Sequence, residues 1–156
     1  SKSKDKVSQL KLTQETDYAF RIVLYLTKHQ REIIEAKIIA EMEHIPKRFL
    51  LKICRKLKQA GIIRSYRGKN GGYKLARDPG EITLKDVVEV IEGDLVVSKC
   101  QEDPEACSKG ASDHCSVHQV LNSVNGLIEK EFSKYDFATL AAKKGKEADL
   151  DISSDN

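Results

Sequence analysis

A mainly α-helical chain with a small β-wing, a winged helix-turn-helix followed by a long dimerisation helix, is the fold class this sequence predicts. Three stretches predict it. The first, Ile45 to Arg77, holds eleven Lys and Arg (Lys47, Arg48, Lys52, Arg55, Lys56, Lys58, Arg64, Arg67, Lys69, Lys74 and Arg77) and no Asp or Glu. The second is the run Tyr66-Arg67-Gly68-Lys69-Asn70-Gly71-Gly72 between two β-forming segments, the signature of a hairpin with a basic, Gly-rich tip. The third is a late apolar repeat, Val117, Val120, Leu121, Val124, Leu127, Ile128 and Phe132, at the spacing of one helix face.

Outside the basic block the balance reverses, with 16 basic against 24 acidic side chains in the other 123 residues. Charge segregated in this way is the footprint of a surface that meets a polyanion.

Taken in order, residues 1–9 are polar and charged and predict a disordered tail, and residues 10–93 predict the winged domain. Thr13 is placed to cap a helix that runs to His29, with Ala19, Ile22, Val23 and Leu26 inward; Glu15 and Asp17 favour its positive end. A short helix over 36–43 turns Ile39 and Ala40 inward. His44 and Ile45 make the turn into the basic helix, His44 standing where Gly is common but in a residue type that tolerates the left-handed region.

The basic helix is expected from Pro46, permitted in a first turn, to Ala60, with Gly61 just past its end. Phe49, Leu50, Ile53 and Leu57 fall on one arc, the expected buried face. Arg48, Leu51, Lys52 and Arg55 recur opposite, and Gln59 continues the stripe. Such a stripe on an isolated helix is ordinarily a solvated face. Here the acidic partners are missing and a basic hairpin follows, expected from strands at 62–65 and 73–76. Together they suggest a helix that reads a DNA groove while the wing holds backbone phosphate. The candidate contacts are Lys47, Arg48, Leu51, Lys52 and Arg55 on the helix and Arg67, Lys69, Asn70, Gly71 and Tyr73 on the wing.

Asp78-Pro79-Gly80 closes the wing with strong turn chemistry. Thr83 and Asp86 resemble a capping box for a helix in which Leu84, Val87, Val88 and Ile91 face inward, Gly93 stops the helix, and the whole is expected to pack under the wing. Periodicity then disappears, and residues 94–115 are expected to form a cysteine-containing loop long enough to require a function or disorder. Residues 116–143 predict a helix that pairs with its copy in a homodimer, followed by a shorter helix; Gly126 costs the longer one about 1 kcal/mol against Ala. Residues 144–156 predict a charged, disordered tail.

No apolar run approaches the roughly 20 residues needed to cross a bilayer, and the start Ser1-Lys2-Ser3-Lys4-Asp5-Lys6 lacks an apolar signal region, so a cytoplasmic protein is expected. There, four cysteines are ligands, reactive thiols or buried small residues more often than disulfides. Cys54 borders the apolar arc and is expected to be buried. Cys100, Cys107 and Cys115 are spaced too widely for the tight pairs of a structural zinc site, but three thiolates on one loop suit a multi-iron cluster. His118, one helical turn after Cys115, is the nearest further ligand; its other reading is a solvent-facing histidine. No motif places a nucleophile beside a base, so catalysis is not expected.

The chain resembles the IscR/NsrR/RirA/CymR family of dimeric winged-helix bacterial regulators over residues 10–135. The resemblance is carried by Thr16-Asp17-Tyr18-Ala19-Phe20-Arg21, Leu57-Lys58-Gln59-Ala60-Gly61-Ile62-Ile63, the wing from Arg67 to Ala76, Ile82-Thr83-Leu84-Lys85-Asp86-Val87 and Ile91-Glu92-Gly93. It implies promoter DNA bound by the helix and wing of each subunit, and an iron–sulfur cluster, 2Fe–2S or 4Fe–4S, on Cys100, Cys107 and Cys115. For the fourth ligand it offers three candidates. His118 matches the IscR-like branch, Asp17 stands at the acidic position used in the NsrR-like branch, and Glu15 is at that of a related variant. Leu51 replaces a base-reading Glu of IscR-like proteins; Leu cannot accept from cytosine but can touch a thymine methyl. The expected function is a regulator, most simply a repressor, that senses iron, redox state or nitric oxide. The alternatives are an electron carrier or cluster-transfer protein whose basic face docks an acidic partner, and a cluster-free DNA-binding protein with zinc or redox-active thiols.

Overall fold

The computed structural model describes residues 11–94 and 116–143. The N-terminal tail expected at 1–9, the cysteines Cys100, Cys107 and Cys115, and the tail at 144–156 lie outside the described residues. Helix α1 (Gln14–Lys28) is the centre of the packing, with α2 (Ala36–Glu43), α3 (Lys47–Gln59), α4 (Leu84–Glu92) and a short C-terminal helix, α6 (Phe137–Ala142), all against it. A long helix, α5 (Ser116–Ser133), lies on α4.

Local chemistry sets these boundaries. The Thr13 hydroxyl accepts the Thr16 amide and caps α1. The α2–α3 turn puts His44 at φ 54°, ψ 47°, with the Ile45 amide donating to the Ala40 carbonyl at 2.9 Å. That is a helix stop usually made with Gly, here made by His and closed by the buried Ile45. Pro46 caps α3, one residue earlier than its expected role inside the first turn. The capping box of α4 is complete, the Thr83 hydroxyl accepting from the Asp86 amide and the Asp86 carboxylate from the Thr83 amide.

Strands β1 (Ile63–Tyr66) and β2 (Gly72–Leu75) pair antiparallel with Ile63 opposite Leu75 and Arg64 opposite Lys74, one residue displaced from the expected bounds. The hairpin has a third member that periodicity did not indicate. Ile34 and Tyr73 exchange backbone hydrogen bonds of 2.9 and 2.8 Å, anchoring β2 to the segment before α2. Helix α4 packs on α1, α5 and α3, where a position under the wing was expected; Val87 and Val88 enter the core.

The core comprises Ile22, Val23, Leu26, Ile39, Leu50, Ile53, Leu57, Ile62, Ile63, Ile82 and Val87, and Phe137 of α6 completes it. Phe137 is held there by backbone bonds across Ile82 to Phe137 and Tyr135 to Leu84. One expectation for α3 fails. Phe49 is not on the buried face but 39% exposed, and Cys54 takes the inward place beside Leu50, Ile53 and Leu57. Phe49 lies at the edge of the apolar arc, where the shape of the neighbours, not the helical period, decides burial.

Candidate nucleic-acid interface and cluster ligands

Helix α3 is about 20 Å long at 1.5 Å per residue, enough to lie along a major groove about 12 Å wide. Its inner face is fully apolar, so every polar residue it carries is turned outward. Lys47, Arg48, Leu51, Lys52 and Arg55 are all exposed, as sequence spacing places them. Of the eleven cations of the basic block, only Lys52, Lys56 and Arg77 have a carboxylate within ion-pair distance among the described residues. Glu15, at the start of α1, serves both lysines, 2.7 Å from Lys56 and 3.9 Å from Lys52. Arg77 lies 3.7 Å from Asp86 and donates to the Glu81 carbonyl, fastening the end of the wing to α4. Of the other eight cations, seven are exposed and Lys74 is half-buried, and none has such a carboxylate among the described residues.

The wing shows the same bias. Arg64 and Lys74 are directly opposite each other, a like-charge pair that destabilises a hairpin. At its tip the Gly71 amide donates to the Gly68 carbonyl, turning Lys69 and Asn70 into the loop's outer corner with Arg67 exposed beside them. Gly71 and Tyr73 are half-buried at the base, so Tyr73 meets the core as well as the surface. Burial pushes the Tyr73 hydroxyl above its ordinary value. Behind α3, burial pushes the Cys54 thiol up to about 12, which keeps it protonated and inert.

Sequence reasoning missed two features of this face. Phe49 is exposed with the Arg48 guanidinium 4.9 Å above its ring. Glu15 enters the basic face from α1, 41 residues away in the chain. The first is an i,i+1 relation that helical periodicity does not flag; the second is a long-range pairing with no local signal.

The candidate fourth ligands are in different situations. Asp17 is exposed and paired with Arg21 at 2.7 Å, and Glu15 is committed to the two lysines. His118, in the first turn of α5, is half-buried; its Nδ1 is shielded from solvent and has no hydrogen-bond partner among the described residues. An unpartnered buried imidazole nitrogen is costly unless something binds it. Asn125 Oδ1, two turns on, is likewise unpartnered, but an amide oxygen is a poor ligand for iron. Thiolates and an imidazole are donor types that hold iron–sulfur clusters.

Helix α5 presents Val117, Val120, Val124 and Leu127 to solvent, 39–64% exposed, at spacings of three, four and three residues. No residue of this helix is fully buried in a single chain.

The comparisons with known proteins agree with this architecture. Residues 12–143 match the model of the Rrf2 family, described as iron-dependent transcriptional regulators. The HTH-type transcriptional regulator NsrR of Bacillus licheniformis is 32% identical over 130 residues, 81% of this chain and 83% of that protein. The NsrR of Bacillus subtilis is 31% identical over 137 residues, 86% of this chain and 92% of that protein. Among solved structures, T. potens IscR superposes with a TM-score of 0.68 at 25% identity, covering 86% of this chain and 89% of that one. CymR, the global cysteine regulator of B. subtilis, shares the fold with a TM-score of 0.69 at 23% identity, covering 87% and 99%. A helix-turn-helix with unneutralised cations, a basic wing, and similarity along nearly the whole chain lead to one conclusion: the chain belongs to the Rrf2 family of DNA-binding transcriptional regulators.

Proposed function

We propose that this regulator is a homodimeric, cytoplasmic repressor whose grip on its operator is set by an iron–sulfur cluster held by Cys100, Cys107, Cys115 and His118. The observation that carries the DNA half of this reading is the set of eight cations on α3 and the wing with no carboxylate partner among the described residues, including the like-charge pair Arg64 and Lys74. Duplex phosphates relieve that repulsion. The ligand half rests on the solvent-shielded Nδ1 of His118, against the ion-paired Glu15 and Asp17. A bound cluster, 2Fe–2S or 4Fe–4S, supplies a centre that iron limitation, oxidants or nitric oxide can alter.

The chain's own part is mechanical. His118 stands in the first turn of α5, so whatever orders its ring also orders the start of that helix. The far end of α5 is tied to the DNA-binding body at Tyr135–Phe137. A change at one end of a rigid rod anchored at the other moves the exposed apolar face, and with it the spacing of two recognition helices in a dimer. Coupling of this kind requires different free energies of cluster binding in the two arrangements.

The test is protein isolated without air, examined by absorption and Mössbauer spectroscopy with iron and sulfide analysis, then by gel shift before and after cluster removal. A coloured protein with at least two irons per chain whose operator affinity changes on removal is expected. Colourless, iron-free protein that still regulates normally would overturn the reading in favour of a cluster-free thiol or zinc regulator. Cluster without specific duplex binding would point to an electron carrier or cluster-transfer protein. His118→Ala is expected to destabilise or shift the spectrum of the cluster; loss confined to Asp17→Ala or Glu15→Ala would move the fourth ligand to that acid.

A further inference from the structure

The first turn of α3 holds an arrangement that neither the core nor phosphate binding explains. Phe49, at the edge of the apolar arc, is 39% exposed. The Arg48 guanidinium lies 4.9 Å over the ring and has no carboxylate partner among the described residues. Leu51, on the other flank of Arg48, is also 39% exposed. Exposed apolar groups on both sides of an unneutralised arginine, within a cationic face, call for a covering surface that is apolar at two points and anionic around them. Charge alone excludes a second copy of the same face.

Major-groove edges have this composition. Thymine presents a C5-methyl there, guanine presents the N7 and O6 acceptors that take Arg in a bidentate fork, and phosphates border both. Stacking on an aromatic face fixes the plane of the guanidinium, so less rotamer freedom remains to be lost when the fork docks. The N-terminal residues of a recognition helix are those that reach base edges.

We propose that Phe49 is a specificity-determining residue: its ring covers the methyl of a thymine next to a guanine read by Arg48, and it holds Arg48 in the orientation that reads that guanine. Leu51 covers a second thymine on the other side. The half-site is accordingly a guanine set among thymines, and cytosine in place of the Phe49-covered thymine is rejected for want of a methyl. The proposal rests on α3 being the reading helix.

The experiment begins with selection of a bound sequence from random duplexes by the full-length, anaerobically isolated protein. Failure to enrich any sequence would sink the assignment of α3 as a reading helix, a result distinct from any outcome at Phe49. Each thymine of the selected half-site is then replaced singly by deoxyuridine, which removes only the methyl, and Kd is measured by fluorescence anisotropy for wild type, Phe49→Ala and Phe49→Leu. At least one replacement is expected to weaken wild-type binding roughly fourfold, the effect of uncovering about one methyl-sized group. Phe49→Ala is expected to be indifferent to that same replacement. Phe49→Leu keeps an apolar side chain and should retain the methyl effect, while losing discrimination against 7-deazaguanine at the position Arg48 reads. Equal deoxyuridine effects in wild type and Phe49→Ala at every thymine would overturn the proposal. So would a Phe49→Ala protein that is altered in sedimentation but unchanged in its methyl response, because the ring would then belong to a protein interface.

Discussion

At the scale of single residues, the outward face of α3 divides its labour between shape and charge. In the proposed reading Arg48, which lies over the Phe49 ring, reads a base edge, whereas Lys69, at the corner of the wing, holds a backbone phosphate. Arg48→Ala is therefore expected to weaken cognate binding by about 1–3 kcal/mol and to relax sequence preference. Lys69→Ala should weaken cognate and random duplexes alike and flatten the salt dependence by about one phosphate. Equal losses for both variants on both duplexes, measured by anisotropy titration, would refute the division. Cys54 offers a test of the inner face. Burial raises its thiol from 9.0 to about 12, so the native state retains a proton that the unfolded chain loses. The stability associated with that proton is complete below pH 9 and is lost as pH rises toward 12. Urea midpoints should fall between pH 8 and pH 10 more steeply in wild type than in Cys54→Ala, and native Cys54 should resist alkylation until the protein unfolds.

At the scale of elements, the wing is a hairpin fastened on both sides. Gly72 sits so close to the Ile34 carbonyl that a Cβ there would collide with backbone atoms of Ile34 and Glu35, which have no rotamer by which to yield. Gly72→Ala is expected to break the Ile34–Tyr73 bridge and cost about 2–4 kcal/mol, a loss in the range of a forced core distortion. Thermal unfolding would measure it, and an unchanged midpoint would show that the bridge contributes nothing. The start of α4 depends on its reciprocal cap, and Thr83→Ala should cost about 1 kcal/mol by the same measurement. These two elements meet at Arg77, which pairs with Asp86 of the cap and so transmits the position of the wing to α4.

At the scale of the whole molecule, the apolar face of α5 is exposed among the described residues. Val117, Val120, Val124 and Leu127 follow a heptad seam, and a helix with such a seam buries it against another helix. Val120→Asp with Leu127→Asp is expected to convert a dimer to a monomer in analytical ultracentrifugation and to lower operator affinity by at least ~100-fold, because the second half-site no longer binds intramolecularly. A variant that stays dimeric would place the interface elsewhere. Within the described body, the end of α4 is tied to the start of α1. Glu92 Oε1 accepts from the Thr13 amide and from the hydroxyls of Thr13 and Thr16 at 2.9, 2.6 and 2.5 Å. That junction clamps the end of α4 to the start of α1, the helix whose Glu15 reaches the lysines of α3.

The order of helices, the caps at Thr13 and Thr83, the turn at His44 and the basic hairpin were legible in the chain itself. Each is satisfied by residues within a few positions of one another, so spacing alone carries the information. The segregation of cations was equally visible, because charge needs no fold to be counted. Tertiary structure alone decided that Phe49 lies outside, that Ile34 pairs with Tyr73, that Glu15 meets Lys56, and that Phe137 returns to complete the core. These depend on which surfaces happen to meet across long stretches of chain, a matter of shape and closure that no local period encodes.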